Sequence, residues 1–316
     1  MNFSSIRIRR FSAVLAGAFA VATQLSAGPR IGVLLKGQSG FWNAVGDGAV
    51  SAGKAQGAEV IVRAPPSESD IDIQIKLVDE FVHEGIQALV IAPGSGIALS
   101  GPVAAATAKG IKLVVIDTAL DGDMPVFIAT NHTDAGAAAG NLLASLTKPD
   151  DEISILRHAR GSGATSLREA SGYSALQFAH PGIVVHRDIY SGTAAGHEVD
   201  QARLLLTQYP NTKAILASST PGTMAMLQAL DDTKKAGTIR FVGFGFNLNA
   251  KVAAALERGA MDGWIAQLPT EIGTRGVDAA LALLEDRPVA EVTFCDFLVI
   301  TKANLHDTRV QALLPK

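Results

Sequence analysis

One unit repeats along the sequence: a short run of Val, Ile, Leu and Ala, a polar or Gly-rich corner, and then an Ala-rich stretch of helical periodicity. Strands that are apolar on both faces and alternate with helices are typical of parallel sheets covered by helices on each side. The chain is therefore predicted to be an α/β protein. The runs read RIGVLLKG, AEVIVRAP, ALVIAPGS, KLVVIDTA and VFIATNHT, then EISILRHA, IVVHRDIY, KAILASST, RFVGFGFN and DGWIAQLP.

These runs are too numerous for one comfortable sheet, and the pattern restarts partway along the chain. The series breaks at the charged, Pro-containing stretch TKPDDE. With 316 residues, 48% of them hydrophobic, the chain can fill two separate cores. We predict two similar α/β lobes, the second beginning near Thr133. After Gln267 the chain continues into a helical stretch, 271–285, and an extended segment, EVTFCDFLVI, both of which could return to the first lobe.

The first 27 residues have the layout of a secretory signal peptide. The basic stretch RIRR, 7–10, precedes an apolar run over 11–22, and small and polar residues follow up to Ala27. A membrane-spanning helix needs about 20 apolar residues, more than this run contains. The single cysteine, Cys295, is remote from the cleavage region and offers no lipid attachment there. We predict cleavage after Ala22 or Ala27 and a periplasmic location.

Motifs for catalysis, nucleotide binding and metal binding are missing from the sequence. GVLLKGQSGFW lacks the G-x-G-x-x-G of dinucleotide folds, and APGSGIALSG has no lysine where a phosphate loop requires one. Neither a G-x-S-x-G elbow nor an H-E-x-x-H pair occurs. The net charge of −3 and the scattered Lys and Arg residues provide no nucleic-acid footprint. We predict a protein that is not an enzyme, with no cofactor, no metal site and no nucleic-acid partner.

The corners after the strands hold the candidate ligand-binding residues, because open α/β sheets bind ligands at the carboxyl ends of their strands. Asp117 follows KLVVI and has two interpretations, a carboxylate that holds ligand hydroxyls or a turn or helix cap. Phe41 and Trp42 cannot both face the core from the start of one helix, so at least one of them faces solvent or a ligand. Gln267 ends a buried-looking run with no nucleophile, metal ligand or phosphate loop beside it.

Several blocks of the sequence resemble the periplasmic sugar-binding proteins of ABC importers, specifically the ribose-binding-like type I group. The first block, RIGVLLKGQSGFWNAVGDGAVSAGKAQGAEVIV, is similar to the opening strand, aromatic pair and first helix of that family. The later blocks KLVVIDTA, FIATNHTDAGAAAGNLLA, GYSAL, RFVGFG and WIAQLPTEIGTRGVDAA are similar to it in the same order, and the last block is the most specific. The resemblance covers the chain from about Arg30 to its end.

The resemblance implies a role for each of the corner residues. The aromatic pair would cover a sugar ring, Asp117 would hold hydroxyls, and Gln267 would hold a hydroxyl and form part of a hinge. Either Arg168 or Glu169 would occupy a further position, because the spacing before GY differs by one residue. The ligand-binding residues predicted in this way are Phe41, Trp42, Asp117, Thr118, Asn131, Arg168, Ser219, Asn247 and Gln267.

Three of the corners differ from the ribose-binding pattern. Thr118 stands where that pattern has an arginine, Gly245 where it has an aspartate, and Ser219 where it has an asparagine. These differences remove charged, bidentate groups. They favour a neutral ligand, smaller or less ring-like than ribose, such as a tetrose or pentose derivative or a linear polyol.

The resemblance also implies the architecture and the function. We expect two Rossmann-like lobes joined by a three-segment hinge near 131–133, 265–269 and 297–301. The first lobe would comprise 28–132 plus 267–298, and the second 133–266 plus 299–316. The predicted function is capture of a neutral monosaccharide or polyol between the lobes and delivery to an ABC transporter permease. The alternative is a ligand sensor of the same fold that presents a sugar or signalling furanose to a membrane receptor, for example a chemoreceptor.

Overall fold

The structure is a computed structural model that describes residues 28–194 and 196–313. The predicted signal peptide, residues 1–27, lies outside the described residues. Within them the strands form two six-stranded sheets, each flanked by helices. The predicted fold class, two Rossmann-like α/β lobes, is confirmed.

The first sheet is entirely parallel and combines five strands from the first half of the chain with one from near its end. The strands are β1 (Arg30–Leu34), β2 (Glu59–Arg63), β3 (Ala88–Ile91), β4 (Lys112–Ile116), β5 (Phe127–Thr130) and β11 (Val292–Cys295). Their spatial order is β11-β5-β4-β3-β1-β2.

The second sheet repeats this design, with one antiparallel strand at its edge. Its strands are β6 (Glu152–Leu156), β7 (Val184–His186), β8 (Thr212–Ala217), β9 (Arg240–Phe246), β10 (Gly263–Gln267) and β12 (Phe297–Ile300). Their order is β12-β10-β9-β8-β6-β7, and β12 runs antiparallel to β10.

Helices cover both faces of each sheet, as the doubly apolar strands require. On β1, Ile31 and Val33 pack against α1 and α9, whereas Leu34 packs against α2 and α3 on the opposite face. Among the described residues no helix is long and apolar enough to cross a membrane. The helices are α1 (Gly40–Ala55), α2 (Ile71–His83), α3 (Gly96–Thr107), α4 (His132–Leu146), α5 (Gly163–Ala179), α6 (His197–Gln208), α7 (Thr220–Asp232), α8 (Ala250–Glu257), α9 (Pro269–Leu284) and α10 (Thr308–Gln311), with a 3-10 turn at Lys302–Asn304.

Three connections lead from one sheet to the other. They lie at Asn131 between β5 and α4, at Leu268 between β10 and α9, and at Asp296 between β11 and β12. The second segment of the predicted first lobe, 267–298, therefore differs at both of its ends from the segment that the sheets define. Gln267 is the last residue of β10 in the second sheet, and Phe297 pairs with it across the β10–β12 ladder. The sequence EVTFCDFLVI does not mark this boundary, because a single residue connects two strands of similar composition.

The contact between α4 and α5 depends on a glycine and places two helix ends close together. A Cβ on Gly136 of α4 would lie 2.4 Å from the carbonyl oxygen of Arg168 in α5, far inside van der Waals contact. The two helices can approach closely only because this position carries no side chain. The approach brings the start of α4, at His132, next to the Arg168 guanidinium.

Candidate functional site

A cavity of about 310 Å³ lies where the carboxyl ends of the two sheets face each other. This volume is at the lower end of the range typical of small-molecule sites. The cavity is lined by residues of both lobes: Lys36, Ser39, Gly40, Phe41, Trp42, Glu68 and Asp117 from the first, and His158, Ser162, Ala164, Thr165, Arg168, Ser219, Thr220, Pro221, Phe246 and Gln267 from the second.

A buried ion pair forms the floor of the cavity on the side of the first lobe. Lys36 follows β1 and Asp117 follows β4, and the Lys36 Nζ lies 2.6 Å from Asp117 Oδ2, with both side chains only 4% exposed. Lys36 also donates to the Thr118 hydroxyl. Asp117 has a positive φ of 62°, which is uncommon for a residue other than glycine.

The surroundings of Asp117 determine its ionisation. Burial alone would raise the pKa of this carboxyl, but the charge of Lys36 and the hydrogen bond and charge of His132 outweigh burial. The pKa of Asp117 is therefore held well below its usual range. The carboxylate is charged at neutral pH and available to accept hydrogen bonds from ligand hydroxyls.

Arg168 is held by a chain of polar contacts that begins at the same aspartate. His132 Nε2 donates to the backbone oxygen of Asp117 at 3.2 Å, so its Nδ1 accepts from Arg168 Nη2 at 3.1 Å. The other guanidinium contacts are with the backbone oxygen of Ser218, 3.1 Å from Nη1, and with Gln267 Oε1. Burial, followed by the Arg168 charge, lowers the pKa of His132, which matches its role as a neutral acceptor. Burial lowers the pKa of Arg168 to about 10, so the guanidinium remains charged at neutral pH.

Gln267, the last residue of β10, connects the two lobes through its side-chain amide. Its Oε1 accepts from Arg168 and also from the Thr130 hydroxyl at 3.4 Å, at the end of β5 in the first sheet. Its Nε2 lies 3.5 Å from the backbone oxygen of Gly245, to which it donates. A glutamine at this strand end is therefore explained by position: it lies beside two of the three connections and in the cavity wall.

Three aromatic rings form a second wall of the cavity. The Phe41 ring meets the Trp42 ring edge to face at 4.9 Å and the Phe246 ring at 5.6 Å. Phe41 and Trp42 belong to α1 of the first lobe and Phe246 ends β9 of the second, so this contact closes across the gap between the lobes. Trp42 is buried and Phe41 is half-buried, and both also line the cavity.

Glu68 and His158 make another contact between the lobes. Glu68 Oε1 accepts from Trp42 Nε1 at 2.7 Å, and its Oε2 lies 3.7 Å from His158 Nε2. Burial opposes the charged form of Glu68, but His158, Lys36 and Trp42 together lower its pKa. Among the described residues, His158 Nδ1 is the one buried side-chain nitrogen or oxygen without a hydrogen-bond partner.

Six of the predicted ligand-binding residues line the cavity. They are Phe41, Trp42, Asp117, Arg168, Ser219 and Gln267. Thr118 lies next to the ion pair and shares the Lys36 ammonium. Of the two candidates before GY, Arg168 lines the cavity, whereas Glu169 is used internally. Glu169 accepts from Arg157 at 2.6 Å and from the Ser218 hydroxyl at 2.8 Å.

The structure places Asn131 and Asn247 outside the cavity wall. Asn131 caps α4: its Oδ1 accepts from the backbone N–H of Asp134 at 3.1 Å, and its Nδ2 donates to the Asp134 carboxylate. Asn247 has a positive φ of 52° and is exposed in a shallow depression next to Leu268. A helix cap and a left-handed turn account for these two residues.

Glu68, His158 and Phe246 line the cavity but were not among the predicted ligand-binding residues. Phe246 could have been found, because it directly follows Gly245, the glycine that stands at a strand end where the ribose-binding pattern has an aspartate. Glu68 lies in a Ser- and Pro-rich loop after β2, whose composition gives no such signal. In the part of the chain that the structure describes, no group of three or more His, Cys, Asp or Glu residues could hold a metal ion.

Two mostly parallel sheets with a polar and aromatic cavity between them define a two-lobed ligand-binding protein. The chain belongs to the family of the periplasmic binding protein domain, which matches residues 31–288. The predicted resemblance is thereby confirmed.

Curated relatives and solved structures extend this similarity over most of the chain. The chain is 28% identical over 280 residues to the D-allose-binding periplasmic protein of Escherichia coli, covering 85% of this chain and 89% of that protein. It is 27% identical over 266 residues to the D-ribose/D-allose-binding protein of Pseudomonas aeruginosa, covering 81% and 82%. A carbohydrate transporter solute-binding protein from Agrobacterium radiobacter in complex with D-arabinose superposes with a TM-score of 0.83 at 26% identity, covering 92% of this chain and 99% of that one. These relatives are binding proteins, which confirms the expectation that the chain is not an enzyme.

Proposed function

We propose that this protein is an exported solute-binding protein that captures a neutral monosaccharide or polyol between its lobes. It then delivers the ligand to the membrane permease of an ABC transporter, and it works in the periplasm after removal of the signal peptide. The observation that carries the proposal is the cavity itself, which lies between the two lobes and combines hydrogen-bonding groups with aromatic rings.

The charge balance of the cavity supports a neutral ligand. Two basic side chains, Lys36 and Arg168, line it together with two carboxylates, Asp117 and Glu68. The two pairs of opposite charges cancel, and Lys36 is already paired with Asp117. A charged ligand would bring an unbalanced charge into a buried site, at a high desolvation cost.

The mixture of polar and aromatic groups supports a ligand with many hydroxyls. Each hydroxyl is both a donor and an acceptor, and the site offers donors on Lys36 and Arg168 and acceptors on Asp117 and Glu68. Gln267 provides both kinds of group. The Phe41 and Trp42 rings offer an apolar face to the C–H groups of a sugar. In a closed cavity an unpaired hydroxyl costs about 1–3 kcal/mol, so the arrangement of these groups discriminates between sugars.

Closure of the lobes couples ligand capture to delivery. A ligand that contacts residues of both lobes binds the closed form more tightly than the open form and shifts the population towards closure by that difference. The closed form is the shape that a permease would recognise.

The named relatives support a sugar as the cargo, since their names refer to D-allose and D-ribose and the similar solved structure holds D-arabinose. These comparisons do not support the alternative of a sensor that presents its ligand to a receptor. They are consistent with periplasmic export, which the predicted signal peptide would direct.

A thermal-shift screen of the chain from Gly28 onward tests the proposal. Neutral monosaccharides, polyols and amino acids are compared, and a ligand at about 100 times its dissociation constant should stabilise the fold by about 2.7 kcal/mol. We expect a shift with a sugar or polyol that Gln267→Ala and Asp117→Ala both abolish. Phe178→Ala is the control, because this ring is 90% exposed at the far end of α5. Shifts with amino acids alone would contradict the proposal.

A further inference from the structure

The end of β9 provides the cavity with an aromatic ring and with no polar side chain. A Cβ on Gly245 would lie 2.0 Å from Cη2 of the buried Trp264 ring. No side chain fits at this position, because the indole fills the space that one would occupy. Phe246, the next residue, is therefore the side chain through which β9 lines the cavity.

Phe246 is held firmly between the two lobes. Its Cζ lies 3.0 Å from the position of a Cβ on Gly40, at the start of α1, and its ring meets the Phe41 ring edge to face at 5.6 Å. The nearby Ser39 hydroxyl caps α1 by accepting from the backbone N–H of Trp42 at 3.4 Å, and it keeps its own proton. Phe41 and Phe246 together form an apolar corner of the cavity, which we call the phenylalanine corner.

The charged groups of the cavity form a separate, continuous set. Lys36 contacts Asp117, Asp117 contacts His132, His132 contacts Arg168, and Arg168 contacts Gln267. This set can satisfy hydroxyls along one side of a ligand. The two rings of the phenylalanine corner neither donate nor accept a conventional hydrogen bond, so a ligand hydroxyl packed between them loses its water partners and gains none from the rings.

We propose that the preferred cargo is a deoxy sugar or deoxy polyol, with a terminal methyl group seated in the phenylalanine corner. The inference rests on the proposed function and names the ligand class within it. A methyl group there gains apolar burial, whereas a hydroxymethyl group in the same place carries an unpaired hydroxyl. Each of these effects favours the deoxy compound.

Titration calorimetry with matched ligand pairs tests this specificity. The pairs are D-fucose with D-galactose and L-rhamnose with L-mannose. Members of a pair differ only by a methyl in place of a hydroxymethyl group. We expect at least one deoxy sugar to bind about tenfold or more tightly than its partner, in line with the cost of one unpaired hydroxyl.

Two variants locate the preference at Phe246. Phe246→Asn introduces an amide at the corner and should reduce the deoxy preference at least fivefold, whereas Phe246→Leu keeps the corner apolar and should retain the preference. Phe178→Asn makes the same chemical change at an exposed position and should alter nothing. Melting curves of each variant establish that it is folded, and the wild-type comparison of ligand pairs stands without the variants.

Three outcomes would overturn the inference. If hydroxymethyl sugars bind as tightly as or more tightly than their deoxy partners in every pair, the ligand class is wrong while sugar binding stands. If the preference survives Phe246→Asn unchanged, the phenylalanine corner does not cause it. If no sugar of either kind binds, the proposed function fails together with the inference.

Discussion

The ion pair between Lys36 and Asp117 gives the sharpest stability prediction. The charged atoms are 2.6 Å apart, which at an effective dielectric constant of about 20 corresponds to an attraction of about 6 kcal/mol. Burial of both groups cancels much of this attraction. Removing one partner leaves the other buried and unpaired, so Lys36→Met and Asp117→Asn should each reduce the free energy of unfolding by about 3 kcal/mol.

The double variant should be far less unstable than the two single variants suggest. With both charges removed, no desolvated ion remains, and the loss should be about 2 kcal/mol, against about 6 kcal/mol if the effects were additive. Urea unfolding followed by circular dichroism, without added ligand, measures all four corners of this double-mutant cycle.

An exposed ion pair serves as the matched control. Lys112 and Asp286 lie 3.2 Å apart in the same lobe, with side chains 41% and 87% exposed. The corresponding variants, Lys112→Met and Asp286→Asn, should couple by less than about 1 kcal/mol. Burial would not be the cause of a strong coupling if the losses in free energy of unfolding for Lys36→Met and Asp117→Asn were additive. The same conclusion would follow if the coupling energies of the buried and the exposed pair were equal.

Three further predictions follow from the same contacts. The pKa of Asp117 is lower in the folded chain than in the unfolded chain, so its ionised carboxylate stabilises the fold fully above about pH 4. This stabilisation is lost as the pH falls towards the folded pKa. The difference in urea midpoint between wild type and Asp117→Asn should therefore narrow below about pH 4. Gly136→Ala should force α4 and α5 apart, cost about 1–3 kcal/mol in thermal unfolding and weaken ligand binding through Arg168. The control Ser145→Ala, at an exposed position of α4, should change the free energy of unfolding by less than about 0.5 kcal/mol. Burial, then the nearby Glu271 charge, raises the pKa of the Cys295 thiol to about 12, so Ellman's reagent at pH 8 should label it only after unfolding, and rapid labelling of the folded chain would contradict this burial.

Much of the fold follows directly from the sequence, because the strands are short, apolar on both faces and separated by helical stretches. The same regularity locates the strand ends and the corners after them, where Asp117, Phe41 and Gln267 lie. Parallel strands bring their carboxyl ends to one edge of a sheet, so these side chains were expected together although they are far apart in the sequence. The third connection was harder to place, since one residue, Asp296, separates two strands without a turn signal.

The remainder of the site depends on backbone conformation and on packing between the lobes, which periodicity does not report. Asn247 directly follows Phe246, the last residue of β9, and has a left-handed backbone outside the cavity wall. Glu68 reaches the cavity from a loop because the Trp42 indole holds its carboxylate. His158 faces Glu68 only when the two lobes meet. Each of these positions requires knowledge of a contact made by a different element.

The polar groups of the cavity are bonded to one another, and this arrangement decides how ligand contacts can act on the hinge. Gln267 Oε1 accepts from Arg168 on α5 and from Thr130 at the end of β5, next to the Asn131 connection. A ligand hydroxyl that replaces the Arg168 or the Thr130 contact of Gln267 also changes the hydrogen bonding beside the connections at Asn131 and Leu268. Exchanging a hydrogen bond within the protein for one to the ligand contributes only about 0.5–1.5 kcal/mol. The ligand affinity therefore depends less on the number of hydrogen bonds than on how well the ligand fits the closed arrangement of the lobes. Under the proposed function, Gln267 is the side chain best placed to couple ligand recognition to closure.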